Sequence, residues 1–141
     1  MAKHPETNAV RIQTKKTGEK EHSTPLFLTS SFTYDSAEDM AAAFSDDSLD
    51  VNIYSRFSNP SVDEFIEKIA SLEGAEDGVA TGTGMAAIFA TFMTFLSKGD
   101  HIISASAVFG FTHTIFTIYL PKWGFEFFYF DMLILETIEG L

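Results

Sequence analysis

Two glycines flank a threonine at residues 82–84, and Met85 follows them. The short apolar segment before them is typical of a buried strand, and the longer one after them is typical of a helix. A turn of this kind presents backbone N–H groups at the positive end of the helix dipole, where an anion binds well. Gly82, Thr83, Gly84 and Met85 are therefore candidates for holding a phosphate group. A tight turn that binds nothing explains them equally well.

Together with Ala87, the same segment matches the glycine pattern of dinucleotide-binding proteins. That pattern predicts an acidic residue about 20 positions further on, at the end of the next strand. The next predicted strand ends in Ser-Ala-Ser at 104–106, and the acidic residue Asp100 precedes it. The sequence therefore argues against a nicotinamide dinucleotide site.

A second candidate site is the polar loop at residues 54–60, which contains Tyr54 and Arg56. Arg56 and Arg11 are the only arginines in the chain. A guanidinium group binds phosphate through two parallel hydrogen bonds, and a neighbouring phenol can add another. This loop therefore predicts a phosphate clamp. The alternative is a surface arginine packed on Tyr54.

Phe109 is a third candidate, because it follows the predicted strand at 101–105. Ligands of open α/β sheets lie beyond the carboxyl ends of the strands, where a flat aromatic side chain can stack on a planar ring. The chain has 15 phenylalanines, so a core position is the alternative. There is no cysteine, and the four histidines lack metal-ligand spacing. The sequence thus predicts no metal site and no Ser-His-Asp arrangement.

The elements that position these residues follow from periodicity and from turn residues. We predict an extended arm over residues 1–25, a short helix from Ser36 to Ser45, and a polar loop that ends at Pro60. A helix then begins with a Ser61–Glu64 capping box and ends at Gly74. One apolar face of this helix carries Val62, Phe65, Ile66, Ile69 and Leu72.

After Gly74, predicted strands alternate with predicted helices. The strands span 78–81, 101–105 and 125–130, and the helices span 85–97 and 111 to about 120, where Pro121 breaks the second. This alternation predicts an α/β fold with a mostly parallel sheet and flanking helices.

Composition limits the class of protein. The chain has 141 residues, 45% of them apolar, and a formal net charge of −11. These values fit one globular domain and argue against nucleic acid and anionic membranes as partners. The first twenty residues are polar, and the apolar runs are too short to span a membrane. We therefore expect a cytoplasmic protein.

Four segments together resemble the Cys/Met-metabolism PLP-dependent enzymes, the family of cystathionine γ-synthase, methionine γ-lyase and the O-acyl-homoserine sulfhydrylases. They are TPLFLTSSF (24–32), YSRFSNPS (54–61), GTGMAAI (82–88) and SAVFGFTHTIF (106–116). The resemblance implies pyridoxal 5′-phosphate (PLP) as cofactor and an incomplete fold-type I transferase large domain at 61–141. It also implies an arm and inter-subunit loop at 1–60 and a homotetramer built from dimers.

The same resemblance implies a role for each candidate residue. Thr83, Gly84 and Met85 would bind the cofactor phosphate, and Tyr54 and Arg56 would reach the phosphate in the neighbouring subunit. Phe109 would stack on the pyridine ring, where most members have tyrosine. Phenylalanine followed by glycine is similar to the O-succinylhomoserine and O-acetylhomoserine sulfhydrylases.

Family subunits are roughly three times longer, and the Schiff-base lysine lies downstream of the matched region. None of the lysines here occupies its context, so we expect no catalytic residue in this chain and no activity from it alone. The ending at 132–141 does not clearly continue the family pattern. The expected function of the full-length parent is γ-replacement by sulfide on an O-acyl-homoserine, giving homocysteine. The alternatives are a γ-synthase, a γ-lyase, or a truncated, non-enzymatic fragment.

Overall fold

A computed structural model of the protein describes residues 4–13, 15–46 and 48–133. The chain forms two compact units, Met1–Ala80 and Thr81–Leu141. Most of the segment 132–141 lies outside the described residues. The division of the chain at residue 60 into an arm and a large domain stays a prediction.

In the first unit, helix α1 spans Pro5–Arg11, inside the segment predicted to be extended. Proline in the first turn, Glu6 near the start and Arg11 in the last turn all favour a helix. A seven-residue helix is marginal by itself, because nucleation is costly. Here the Asn8 amide donates a hydrogen bond of 3.1 Å to Ser71 Oγ on a later helix. The prediction of a fully extended arm was therefore wrong for residues 5–11.

Helix α2 spans Ala37–Ser45, and Ser36 caps it as predicted by accepting a hydrogen bond from the Asp39 N–H. Helix α3 spans Pro60–Glu73 and ends at Gly74, whose φ of 68° is left-handed. The predicted capping box at its start was wrong. Asn59 is the N-cap and accepts from the Ser61 N–H at 2.9 Å, and Pro60 occupies the first helical position.

The apolar face predicted on α3 forms but is not covered within the described residues. Val62, Phe65, Ile69 and Leu72 are all classed as exposed. The buried positions of α3 are Glu64 and Ala70. Glu64 pairs with Lys68 one turn later at 2.6 Å and accepts a hydrogen bond from the Thr24 hydroxyl. This polar cluster bonds Thr24 to α3, and the Phe27 N–H donates to Ser61 Oγ in the first turn of α3 at 2.9 Å.

The predicted strand at 78–81 is absent: this segment is irregular, and Val79 is exposed. A strand needs a neighbour for its ladder of hydrogen bonds, and the described residues supply none for this segment. In the second unit, helix α4 spans Gly84–Phe95, close to the prediction. The turn at Gly99, with φ of 98°, then leads into the first strand.

Strands β1 (His101–Ala105) and β2 (Glu126–Phe130) pair in parallel, with His101 opposite Glu126 and Ala105 opposite Phe130. Both strands were predicted. Between them run α5 (Gly110–Thr114), a π-helical turn (Ile115–Tyr119) and a 3₁₀ turn (Leu120–Trp123).

Pro121 does not break the helical segment as predicted. It is the second residue of the 3₁₀ turn, and its missing N–H is tolerated within this first turn. A π-helical turn precedes the 3₁₀ turn that contains Pro121, so the chain stays helical through the proline while its hydrogen-bond spacing changes. The segment ends at Gly124, whose φ is 84°.

The apolar core of the second unit lies between β1, β2 and the helical segment that joins them. Ile102, Phe116, Leu120 and Phe125 are buried, and Leu120 has no exposed surface. Phe92 of α4 contacts Phe116 edge to face, with ring centroids 5.0 Å apart. This core fixes β1 against α4, so the residues at the start of α4 are held by a packed scaffold.

Candidate functional site

Thr83 caps helix α4. Its backbone is extended, at φ −154° and ψ 154°, and its side-chain oxygen accepts the Ala86 N–H at 3.1 Å. Its carbonyl accepts the Ala87 N–H at 3.1 Å. Since the Thr83 oxygen is the acceptor in the cap, its hydroxyl proton remains available to donate to a ligand.

The N–H groups of Gly84 and Met85 lie in the first turn of α4, before Ala87, which donates the first helical hydrogen bond to the Thr83 carbonyl, so they have no acceptor within the helix. They therefore need a partner from outside the helix, and the helix dipole favours an anion there. A Cβ built on Gly82 or Gly84 would meet nothing within 4 Å. This turn is open to a ligand, and its donors match a phosphate.

The Tyr54–Arg56 loop lies in the first unit. Tyr54 forms an isolated antiparallel bridge with Ser31, and its carbonyl accepts from the Phe57 N–H at 2.8 Å. The Arg56 guanidinium carbon lies 5.2 Å from the Tyr54 ring centroid and 5.4 Å from that of Phe57. This geometry is a cation–π contact.

Within the described residues, Arg56 makes no ion pair with a carboxylate. An arginine held between aromatic rings keeps its five N–H donors for a phosphate or carboxylate. The phosphate clamp and the packing on Tyr54 are thus compatible, because the packing orients the guanidinium and no carboxylate among the described residues pairs with it.

Phe109 directly precedes α5 and is 67% exposed. Its ring centroid lies 5.8 Å from that of Phe111 at 44°. It is not part of the core formed by Phe116 and Leu120. The exposed ring has the surface needed for stacking on a planar ligand.

The structure groups the predicted residues by unit. Thr83, Gly84 and Met85 share one helical turn in the second unit, where Phe109 also lies, after β1. Tyr54 and Arg56 share one loop in the first unit. Their roles in binding a ligand stay predictions.

Asn59 is a residue whose role sequence reasoning missed. It is 5% exposed and joins three backbone segments through its side chain. An asparagine immediately before a proline that opens a helix is itself an N-cap signal. The predicted capping box assigned the cap to Ser61, and Asn59 was therefore not considered.

In the part of the chain that the structure describes, no three His, Asp or Glu side chains are grouped to hold a metal ion. Over the same residues, no helix has both the length and the apolar character to cross a membrane.

Comparison with known proteins identifies the family. Residues 6–141 match the family model described as Cys/Met metabolism PLP-dependent enzyme. This match includes the ending at 132–141, so the expectation that the ending departs from the family pattern was wrong. The chain belongs to this family. It is 45% identical over 121 residues to O-succinylhomoserine sulfhydrylase of Pseudomonas aeruginosa and 34% identical over 125 residues to that of Mycobacterium tuberculosis. These matches cover 86% and 89% of the chain.

The chain spans about 30% of the length of these curated relatives. Among solved structures, it is similar to a putative O-acetylhomoserine (thiol)-lyase of Campylobacter jejuni, with a TM-score of 0.88 and 28% identity. The similarity covers 99% of this chain and 34% of that one, which carries a pyridoxyl-lysine phosphate. A cystathionine γ-synthase of Xanthomonas oryzae, solved with aminoacrylate and cysteine, has a TM-score of 0.84 and 26% identity, covering 99% of this chain and 34% of that one.

These relatives confirm the predicted fold class. The chain has a partial α/β domain of fold-type I PLP enzymes, with its short sheet parallel as predicted. The family is PLP-dependent, which confirms the cofactor expected from the sequence. The residues present fit the cofactor's phosphate, since the first turn of α4 offers backbone donors with no intrahelical acceptor beside a glycine with open space.

Proposed function

We propose that this chain forms the first part of an O-acyl-homoserine sulfhydrylase, which replaces the acyloxy group at the γ-carbon with sulfide and yields homocysteine. The identity of 45% to an O-succinylhomoserine sulfhydrylase supports this substrate class. The observation that carries the proposal is the open first turn of α4, where a hydroxyl and two N–H groups match a phosphate.

In this proposal, the N–H groups of Gly84 and Met85 bind the PLP phosphate, and the Thr83 hydroxyl donates a third hydrogen bond. When bound, PLP supplies an electron sink for carbanion chemistry on the amino-acid substrate. The chain's own contribution is to anchor and orient that group. Because Thr83 is locked by its cap bond to Ala86, its hydroxyl loses little freedom on binding.

Tyr54 and Arg56 are proposed to bind the phosphate held by a neighbouring subunit, within a tetramer built from dimers. The absence of a carboxylate partner for Arg56 in the described residues supports a role toward an external anion. Residues 1–60 then act as the arm and inter-subunit loop, and residues 61–141 as the beginning of the cofactor domain. The prediction of a cytoplasmic enzyme belongs to the same proposal, and cell fractionation tests it.

Phe109 is proposed to stack on the pyridine ring and exclude water from one of its faces. Phenylalanine has no hydroxyl, so it cannot transfer a proton as a tyrosine at this position could. This difference favours γ-replacement by sulfide over a lyase reaction. The second candidate is a γ-lyase, supported by 34% identity to L-methionine gamma-lyase of Fusobacterium nucleatum.

Because none of the seven lysines occupies the family's cofactor-lysine context, the activity is proposed for the whole protein. The complete gene product is incubated with PLP, O-succinyl- or O-acetyl-homoserine and sulfide, and homocysteine is measured. Parallel reactions replace sulfide with cysteine, or supply methionine alone.

Homocysteine as the dominant product supports the sulfhydrylase. Cystathionine from cysteine, or methanethiol from methionine, at higher kcat/KM would assign the sibling chemistry instead. A gene product with no reaction and no PLP binding would leave the non-enzymatic alternative.

A further inference from the structure

The Asn59 side chain joins three parts of the first unit. Its Oδ1 accepts the Ser61 N–H at 2.9 Å, which caps α3. Its Nδ2 donates to the Phe27 carbonyl at 3.0 Å and to Ser55 Oγ at 2.9 Å. Both amide protons and the amide oxygen are therefore in use, in a side chain that is 5% exposed.

One of the two bonds from Nδ2 reaches the Tyr54–Arg56 loop at Ser55, and the other reaches Phe27 in the 27–30 segment, to which the loop is bonded. Ser55 lies between Tyr54 and Arg56, and its hydroxyl donates to the Thr29 carbonyl while its N–H donates to Ser30 O at 2.9 Å. The loop is thus tied to the 27–30 segment and, through Asn59, to the first turn of α3. A fully satisfied network centred on a buried side chain holds one conformation.

We propose that Asn59 is a positioning residue that holds the Tyr54–Arg56 loop in the conformation that binds the cofactor phosphate. This inference rests on the proposed function for its phosphate part only. The geometry separates two roles of the side chain: Oδ1 stabilises α3, and Nδ2 holds the loop. A substitution that changes only Nδ2 tests the second role.

Asn59→Asp is that substitution. Aspartate has the same shape and is an equally good N-cap, so the bond to the Ser61 N–H is retained. It has no N–H to donate, and its second oxygen faces the Phe27 carbonyl, which repels it. The loop should therefore open more often, while α3 remains capped.

Cleavage after arginine measures this opening, because within residues 1–141 an arginine-specific protease can cut only after Arg11 and Arg56. Arg11 ends α1 and serves as the internal reference. The ratio of the Arg56 cut to the Arg11 cut should rise about tenfold in Asn59→Asp, since the bond to Ser55 in the loop and the bond to the Phe27 carbonyl beside it are both lost. Circular dichroism should show an unchanged helix content, as expected if α3 remains folded.

A second variant guards against general unfolding. Ser55→Ala removes the link between Asn59 and the loop without touching the α3 cap, and it should raise the same ratio by about threefold to tenfold. Ser36→Ala is the matched control, because it removes an N-cap bond elsewhere in the unit. It should lower thermal stability but leave the ratio unchanged. An unchanged ratio in both loop variants, or an equal rise in Ser36→Ala, would overturn the proposal.

The phosphate part is tested by adding PLP. The protease ignores lysine, so reaction of the cofactor's aldehyde with lysines does not create or remove cut sites. In the complete gene product, PLP should slow the Arg56 cut at least threefold in the wild type and little in Asn59→Asp. If PLP does not slow the wild-type cut, the phosphate role of Arg56 and this part of the proposal fail together, whereas the loop-holding role is decided by the ligand-free ratios.

Discussion

The side-chain oxygen of Thr83 lies 3.1 Å from the backbone nitrogen of Ala86 and accepts its hydrogen bond. This single contact both caps α4 and fixes the hydroxyl beside the N–H groups of Gly84 and Met85. The Thr83 side chain therefore caps α4 and is also placed to bind a phosphate. Substitutions can test the two roles separately.

Thr83→Ala should destabilise the second unit by about 1 kcal/mol, because it removes the N-cap acceptor. Thr83→Ser keeps the oxygen and should cost a few tenths of that value. Urea denaturation followed through Trp123, the sole tryptophan, measures the effect.

Thr91→Ala is the matched control for this series. Its hydroxyl bonds back to the Ala87 carbonyl within the same helix, and alanine is the better helix former, so stability should be unchanged or higher. Equal losses at residues 83 and 91 would contradict the capping role.

Gly84→Pro should weaken PLP binding while leaving the fold intact. Proline is favoured at the first helical position, and the extended backbone of Thr83 suits a residue before proline. The substitution removes one N–H donor to a charged phosphate, which is worth roughly 1.5–3 kcal/mol, or about 10- to 100-fold in affinity. Gly84→Ala keeps the donor and adds a Cβ in open space, so it should lose far less. PLP titration of the complete gene product compares the two variants, and equal affinities would remove the Gly84 N–H from the phosphate site.

Arg56→Ala should lower PLP affinity about 10- to 100-fold, since a charge-assisted contact is lost. Arg56→Lys should recover only part of it, because an ammonium lacks the planar fork. If Arg56 acts across subunits, mixing Arg56→Ala with Gly84→Pro should restore activity. Each hybrid dimer then contains one site with both groups intact. Verified hybrid dimers with no recovered activity would show that Arg56 serves its own subunit.

Local sequence signals predicted much of the fold. Strand β1 has the predicted bounds, because a short apolar segment between a glycine turn and Ser106 has few alternatives. Ser36 and Gly74 work as cap and stop because capping depends on neighbouring residues alone. The candidate site residues could be predicted as well, because their motifs are also short and local in the sequence.

Features that depend on distant contacts were missed. Helix α1 is too short to be predicted from its own residues, since it depends on the bond from Asn8 to Ser71, 63 residues later in the sequence. The role of Asn59 depends on Phe27, which is 32 residues away in the sequence. Residues 78–81 have strand composition, but composition supplies no pairing partner.

Leu120→Ala should destabilise the second unit by about 2–5 kcal/mol, because it leaves a cavity in the core. Leu120 has no exposed surface, whereas Leu133 is 91% exposed. Leu133→Ala is therefore the matched control in the same unit and should change stability by less than about 0.5 kcal/mol. Urea denaturation with Trp123 fluorescence compares them. Similar losses for both would mean that the core is not centred on Leu120.

Tyr129→Phe should stabilise the protein. The Tyr129 hydroxyl is buried without a hydrogen-bond partner among the described residues, and its ring stacks on His113 with centroids 5.1 Å apart. Removing an unpaired buried hydroxyl should raise the free energy of unfolding by up to about 1 kcal/mol. Tyr34→Phe is the control and should lower the free energy of unfolding, because the Tyr34 hydroxyl donates to the Asn52 carbonyl at 2.8 Å and this bond is lost.

The same burial raises the pKa of Tyr129 above its ordinary value. The folded state therefore keeps the Tyr129 proton at pH values where the unfolded state, with a pKa of about 10, has lost it. This contribution to stability is complete below about pH 10 and is lost as the pH rises toward the folded pKa. The advantage of Tyr129→Phe over the wild type should thus be constant between about pH 7 and 9 and grow above about pH 10. Thermal melts across this range measure it, and all other titrating groups cancel in the difference. A wild type that is more stable than Tyr129→Phe at neutral pH would show that the hydroxyl has a hydrogen-bond partner after all.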